Sequence, residues 1–267
     1  MEFDGFILRE GKPGERQRKI LERLQGRDIV STRYVDEDCL YTLGIYHSIF
    51  HLLDIVGLHN IFARKEPTFE RLTKEFLSSL IYTVSPNTAS TVGTVKFRLF
   101  NAEYVYTTDE LADLLGVPFG DGAICEAPTD SAWAVDAFSF WHRLSNTTIN
   151  YFEGILASTI HNPAIRVFRY LLSCTIFGRE NPNKVNAKEL LFLQGCLTNR
   201  RINSVPFMLA HMSAVRNKTG TIVFGGLVTS IARALNLDTE IATLAPLPPR
   251  IVNLKFLKDM RLCRNRR

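Results

Sequence analysis

The sequence predicts a mainly α, multi-helix globular domain with one small β-hairpin insertion. Two patterns and one bound carry that prediction. Apolar residues recur at i, i+3 and i+4 in successive segments, each closed by Gly, Asn or Pro. Period-two alternation marks Val95-Lys96-Phe97-Arg98-Leu99 and resumes at Tyr104-Val105-Tyr106. With 46% hydrophobic and 22% charged residues in a chain of 267, a sizeable core can be buried, and intrinsic disorder is excluded. The expected organisation is a polar N-terminal segment with a short helix (1–26), a single helical body (27–250) and a basic tail (251–267).

The elements follow in order. Residues 13–26 read as a short helix, with Pro13 near its start, Gly26 at its end and a narrow stripe of Ile20, Leu21 and Leu24. Asp36-Glu37-Asp38 suit a helix N-terminus, and the apolar run from Leu40 to Val56 predicts one core helix ending at Gly57. A further helix is expected over 67–82, then a polar loop over 85–93. The hairpin comes next, with a loose turn at Asn101-Ala102, because Asn-Ala lacks the Gly that a tight turn prefers. Thr107 and Glu110 have capping-box spacing, Leu111, Leu114 and Leu115 share a helical face, and Gly116 and Pro118 stop it. Residues 119–131 form a long connection. Helices are then expected over 132–144, 149–161, 164–177, 187–198, 205–215 and 222–235, about nine in all. Leu244 to Arg250 closes the packed body.

The search for chemistry yields no catalytic residue, metal site or cofactor. His47, His51 and Asp54 fall at i, i+4 and i+7, but Ser48 stands where a zinc protease needs its Glu, so packed or polar histidines are the reading. His142 with Asp130 or Asp136, and Cys125 or Ser131, lack the glycine-bounded elbow of an activated nucleophile. Asp109, Glu110 and Asp113 suit the solvated first turns of a helix. The Gly220 to Gly226 stretch lacks the Gly-Lys-Ser/Thr ending of a phosphate loop, and close helix packing or a helix entry accounts for its glycines better. Five scattered cysteines without a CxxC pair fit a reducing, intracellular setting, and no apolar run reaches the ~18 residues of a membrane span.

Charge is unevenly placed. Lys255, Lys258, Arg261, Arg264, Arg266 and Arg267 oppose only Asp259, so the last 13 residues hold the whole formal +5 of the chain. This tail offers additive, salt-dependent phosphate contacts. Phe256, Leu257, Met260 and Leu262 equally suit a final amphipathic helix docked on the body, with its cations solvated. The basic run is cut off at Arg267, as in a piece of a longer product. Residues 9–33 carry eight Lys or Arg against four acids, read as a solvated helical face, whereas Leu99 to His142 holds eight carboxylates and no Lys or Arg. Such an acidic middle repels phosphates unless folding hides it.

The succession RDIVSTRYVDEDCLYTLGI, FERLTKEFLSSLIY, GTVKFRLFNAEYVYTTDELADLLGVP and GTIVFGGLVTSIARALNL resembles the Athila-type plant retrotransposon first-open-reading-frame protein family, over roughly residues 27 to 255. The hairpin followed by TTDELADLLGVP is also similar to plant transposon-associated and mobile-domain proteins. The resemblance implies a plant nuclear genome, a mobile-element origin and no established activity, and it transfers no functional residues. The absences agree: Asp130-Ser131-Ala132 lacks the Gly of a retroviral-type protease, and no paired-aspartate polymerase, His-His-Cys-Cys integrase or Cys-Cys-His-Cys knuckle motif is present. The expected function is a non-enzymatic structural or interaction domain that serves assembly or nucleic-acid packaging. Its expected partners are copies of itself and nucleic acid through the tail, with no membrane and no small-molecule substrate. A DNA-binding regulator of transposon origin is the alternative, and a cryptic hydrolase built on the histidines a weaker one. The expected location is intracellular, with the nucleus one compartment.

Overall fold

Asp4 and Gly5, both at positive φ, turn the chain between β1 (Glu2–Phe3) and β2 (Phe6–Ile7), an antiparallel pair. The computed structural model describes residues 2–84, 93–120, 122–126, 130–151 and 155–263. Helix α1 (Lys12–Gln25) follows, entered through Pro13, and buries Gln17, Ile20, Leu21 and Leu24 along one side. After β3 (Arg33–Val35), Asp36 caps α2 (Glu37–Thr42) by accepting from the Asp38 amide.

The single helix expected over 36–57 is in fact two. Gly44 adopts φ 67° after α2, and α3 (Tyr46–Ile55) starts afresh beyond it. Gly57, at φ 70°, ends α3, and α4 (His59–Arg64) is an additional helix. Helix α5 (Glu70–Ser79) is shorter than the expected 67–82, because Leu80 leaves helical geometry and Ile81-Tyr82-Thr83 form β4.

That strand revises the β content. β4 (Ile81–Thr83) pairs antiparallel with β5 (Thr94–Leu99), which pairs with β6 (Ala102–Thr107), so the hairpin is part of a three-stranded sheet. β3 also runs parallel to β7 (Arg250–Val252), with Val35 opposite Val252. The fold is mainly α, but one small hairpin understates its sheets: the N-terminal pair, the parallel pair and β4 depend on partners that local periodicity does not reveal. The polar loop expected over 85–93 lies outside the described residues except at Gly93.

The hairpin turn differs as well. Leu99 faces Ala102, so the loop is Phe100-Asn101, both residues at positive φ as a tight type I′ turn requires. The buried Glu75 carboxylate supplies what the absent Gly would have eased. It accepts from the Phe100 amide at 2.8 Å and from the Asn101 amide at 2.6 Å. Arg98, also buried, donates to the Ile7, Gln17 and Asn101 oxygens.

Beyond β6, Thr107 and Glu110 form a reciprocal capping box on α6 (Thr108–Leu115), which Gly116 ends at φ 68°. Ile124 bridges Ile202 and pins the connection that follows. Then come α7 (Ser131–Ser145), α8 (Pro163–Thr175), α9 (Ala187–Leu197), α10 (Ser204–Val215), α11 (Gly225–Ala234), α12 (Asp238–Ile241) and α13 (Leu254–Asp259). The helix expected over 149–161 is absent among the described residues there. Its backbone turns to the 183–185 stretch instead, with Ala157 donating to Asn183 and Val185 to Ile155, and only Ala157–Thr159 makes a 3-10 turn. Ile155, Ala157 and Ile160 are buried, so the apolar residues that suggested a helix are used in an irregular segment. One continuous core runs from Ile20 to Cys263.

A second buried ionic knot holds the C-terminal half. Glu189, the N3 residue of the capping box on α9, faces Arg169 at 3.1 Å and also pairs with Arg179. Arg169 is 1% exposed, and burial lowers its pKa while Glu189 works against that shift.

Replacing Glu75 by Gln leaves one acceptor for two amides and turns an NH2 towards the turn. We expect a loss of about 2–3 kcal/mol, read as a lower urea midpoint with an unchanged m-value. An unaltered midpoint would mean that the carboxylate does not hold the turn.

Candidate nucleic-acid interface

The C-terminal segment folds back onto the body. β7 lays Val252 into the core beside β3, and the Asn253 side chain caps α13 by accepting from the Phe256 amide at 2.9 Å. Leu257, Leu262 and Cys263 are buried. The Phe256 ring packs on Tyr170, with the Arg33 guanidinium 5.4 Å from its centroid. Arg166 binds the Ile160 carbonyl and, at 3.1 Å, that of Arg261.

Three of the tail cations are therefore on defined backbone. Lys255, Lys258 and Arg261 stand exposed at i, i+3 and i+6, and none has an ion pair among the described residues. Arg264, Arg266 and Arg267 lie outside the described residues. Lys258 reaches a half-open cleft of about 1060 Å3, which Thr42, Ser145, Thr147, His161 and Cys263 also line. The cleft's polar groups are largely engaged with one another: Ser145 Oγ meets Thr147 Oγ1 at 2.7 Å, and His161 Nε2 meets the Ser145 carbonyl at 2.8 Å.

The other candidates do not converge. Asp130 caps α7 by accepting from the Trp133 amide, and Ser131 begins that helix. His142 lies in its last turn, which at 1.5 Å per residue is roughly 16 Å along the axis from Ser131. Asp136 sits six residues before His142, too far along the helix for a hydrogen bond. Cys125 is felt by Tyr82. Asp54 bonds His59 Nδ1 at 2.6 Å, and His47 packs its edge on Tyr46. Among the described residues no group of three or more His, Cys, Asp or Glu is placed to hold a metal ion. Burial pushes the Cys39 thiol up to about 11 and raises those of Cys174, Cys196 and Cys263, which keeps them protonated and poor nucleophiles.

Glycines 225 and 226 serve packing, as their apolar surroundings suggested. A Cβ on Gly226 would stand 2.5 Å from the Tyr34 hydroxyl and 2.6 Å from the Glu66 carbonyl, at the start of α11. Three acids of the middle segment are engaged too. Glu103 pairs with Arg9 and Lys96, Glu110 belongs to its capping box, and Asp109 accepts from Asn203.

A family model described as the ATHILA ORF-1 family matches residues 15–200. The chain belongs to this family. It is thus a retrotransposon first-open-reading-frame domain, and the matched span runs from within α1 to just past the end of α9. No curated protein matches the chain, and no solved structure does. Among the described residues of this ORF-1 chain, no helix is long and apolar enough to cross a membrane.

His211 gives a pH signature. Burial first, then the charges of Lys218, Lys188 and Arg179, push it down to about 4 from its ordinary 6.5. Between those values the unfolded chain takes up a proton that the native chain refuses. Stability therefore falls as pH drops from 6.5 to 4, by about 3 kcal/mol from this group. His211→Gln should remove that part of the pH dependence of the urea midpoint, and parallel profiles for the two proteins would refute the assignment. Gly226→Ala should cost about 1–3 kcal/mol through overpacking. Millimolar ATP should leave the melting temperature of the wild type unchanged, whereas a rise would revive the phosphate-loop reading.

Proposed function

We propose that this ORF-1 chain is a non-enzymatic structural protein of its retrotransposon, which self-associates and packages nucleic acid. The observation that carries the reading is the anchoring of α13. Leu257, Leu262 and Cys263 hold the segment down, while Lys255, Lys258 and Arg261 face solvent without an acidic partner among the described residues. Cations on fixed backbone lose less freedom on meeting a phosphate than cations on a free tail. The scattered histidines and protonated thiols favour a scaffold over a catalyst. For assembly, β6 ends its sheet and Val105 on it is 55% exposed, an edge that a second copy can extend. On this reading the protein works inside the cell, including the nucleus.

Two measurements test the two halves. The triple variant Lys255→Ala, Lys258→Ala, Arg261→Ala should bind single-stranded RNA more weakly, with a slope of log K on log salt shallower by about 2, at roughly 0.7 per lost contact. Identical slopes would remove these residues from the account. Static light scattering should show a mass that grows with protein concentration, and a strict monomer at high micromolar concentration would remove assembly.

A further inference from the structure

Helix α1 carries a second cationic feature. Lys12, Arg16, Lys19 and Arg23 follow at intervals of four, three and four residues, which at 100° per residue confines them to an arc of roughly 60°. All four are exposed, and none has an ion pair among the described residues. Of the two acids of the helix, Glu22 is taken by Arg18 at 3.0 Å, and Glu15 lines the trough beside the row as one carboxylate against its four cations.

The row forms one wall of a trough of about 400 Å3, and Arg216 and Asn217, at the end of α10, form the other. Arg216 is fixed by donating to the Leu80 carbonyl, while its Nε is buried without a hydrogen-bond partner. Burial, then the charge of Arg16, lowers the pKa of Arg216, so the two walls repel each other across the trough. Lys12 and Arg16 also line a neighbouring cleft of about 280 Å3, in which Glu103 neutralises Arg9 and Lys96, so the unpaired cations are those of the row itself.

We propose that this trough holds the phosphodiester backbone of a single-stranded nucleic acid. The row extends 11 residues, roughly 16 Å at 1.5 Å per residue, as one straight file. One file follows one strand, whereas a duplex presents two backbones flanking a groove. An acidic protein partner fits less well. The apolar residue in the trough is Ile20, which is buried at its floor, and a protein interface needs an apolar centre. The inference rests on the packaging reading for the class of partner, but it places the contact on a different face-forming element from α13.

The experiment uses the full chain and fluorescence anisotropy with a labelled uridine 20-mer over a salt series. A duplex DNA of equal length and polyglutamate serve as competitors. Lys12→Gln, Arg16→Gln, Lys19→Gln and Arg23→Gln are combined, since Gln keeps helix propensity at exposed positions, and circular dichroism confirms the fold. A second variant, Arg16→Lys with Arg23→Lys, keeps the charge. The expected result is a slope shallower by about 3 for the glutamine variant, at roughly 0.7 per phosphate contact, with binding retained by the lysine variant and weaker competition from duplex and polyglutamate. Wild-type binding by the glutamine variant, with loss in the α13 triple variant, overturns the trough and leaves the packaging reading standing. Polyglutamate or duplex competing as well as RNA overturns the choice of partner. A wild-type chain that binds no nucleic acid overturns both.

Discussion

The carboxylate of Glu75 ties the hairpin to the helix beneath it. It lies on α5, buried, and satisfies both amides of a turn that contains no glycine. Phe100 at φ 50° is unfavourable by about 1–2 kcal/mol for a residue with a Cβ, and two charge-assisted hydrogen bonds offset that. The same negative charge makes the burial of Arg98 tolerable. Arg98 in turn reaches Ile7 in the N-terminal pair and Gln17 on α1. Gln17 also donates to Ser78, one turn along α5 from Glu75. A single helix thus sets the position of the hairpin, of the first residues and of α1. The direction in which α1 presents its cations is a consequence of this network.

Glu189 plays the matching part in the other half, and it does so twice over. As the N3 residue it closes the capping box with Asn186, and as a buried anion it receives Arg169 and Arg179. Arg169 extends the connection to the Pro182 and Lys184 carbonyls, so the loop between α8 and α9 is fixed by the same ion cluster that starts α9. Removing one member of such a cluster leaves a buried charge unpaired, a larger penalty than the net worth of the cluster itself. The two carboxylates therefore act as positional devices for the buried arginines and amides around them.

What could be read in the sequence was what neighbouring residues decide. The Thr107–Glu110 box, the helix start at Asp36 and the stop at Gly116 all lie within four residues of their effect. The Phe100-Asn101 turn is not encoded locally, because the group that stabilises it is 25 residues away in α5. β4 was hidden at the end of a helical stripe, since Ile81 and Tyr82 satisfy a 3.6 period and a strand equally well, and only Val95 and Lys96 opposite them decide between the two. Residues 149–161 failed the other way: a helix-like set of apolar residues was drawn into pairing with 183–185. The parallel pair of β3 with β7 joins the two ends of the chain, and no local pattern announces it.

Charge was legible as composition and illegible as a surface. The acidic middle looked like a field that would repel phosphates. Four of its eight carboxylates are engaged, Glu103 by Arg9 and Lys96, Glu110 and Asp130 by helix N-termini, Asp109 by Asn203. Glu103 is neutralised by its two cations, and a Debye length of about 8 Å screens the more distant charges. Lys12, Arg16, Lys19 and Arg23 on α1, and Lys255, Lys258 and Arg261 near the C-terminus, have no ion pair among the described residues, and their charge is what a ligand meets. The basic excess of residues 9–33, on sequence alone, reads as a solvated helical face. Arg216 changes that reading, because it arrives from the end of α10 and closes the open side of the row. A charge run on one helix is a composition. Facing a fixed cation across a trough, it becomes a site with a direction and a length, and both follow from the packing that Glu75 enforces.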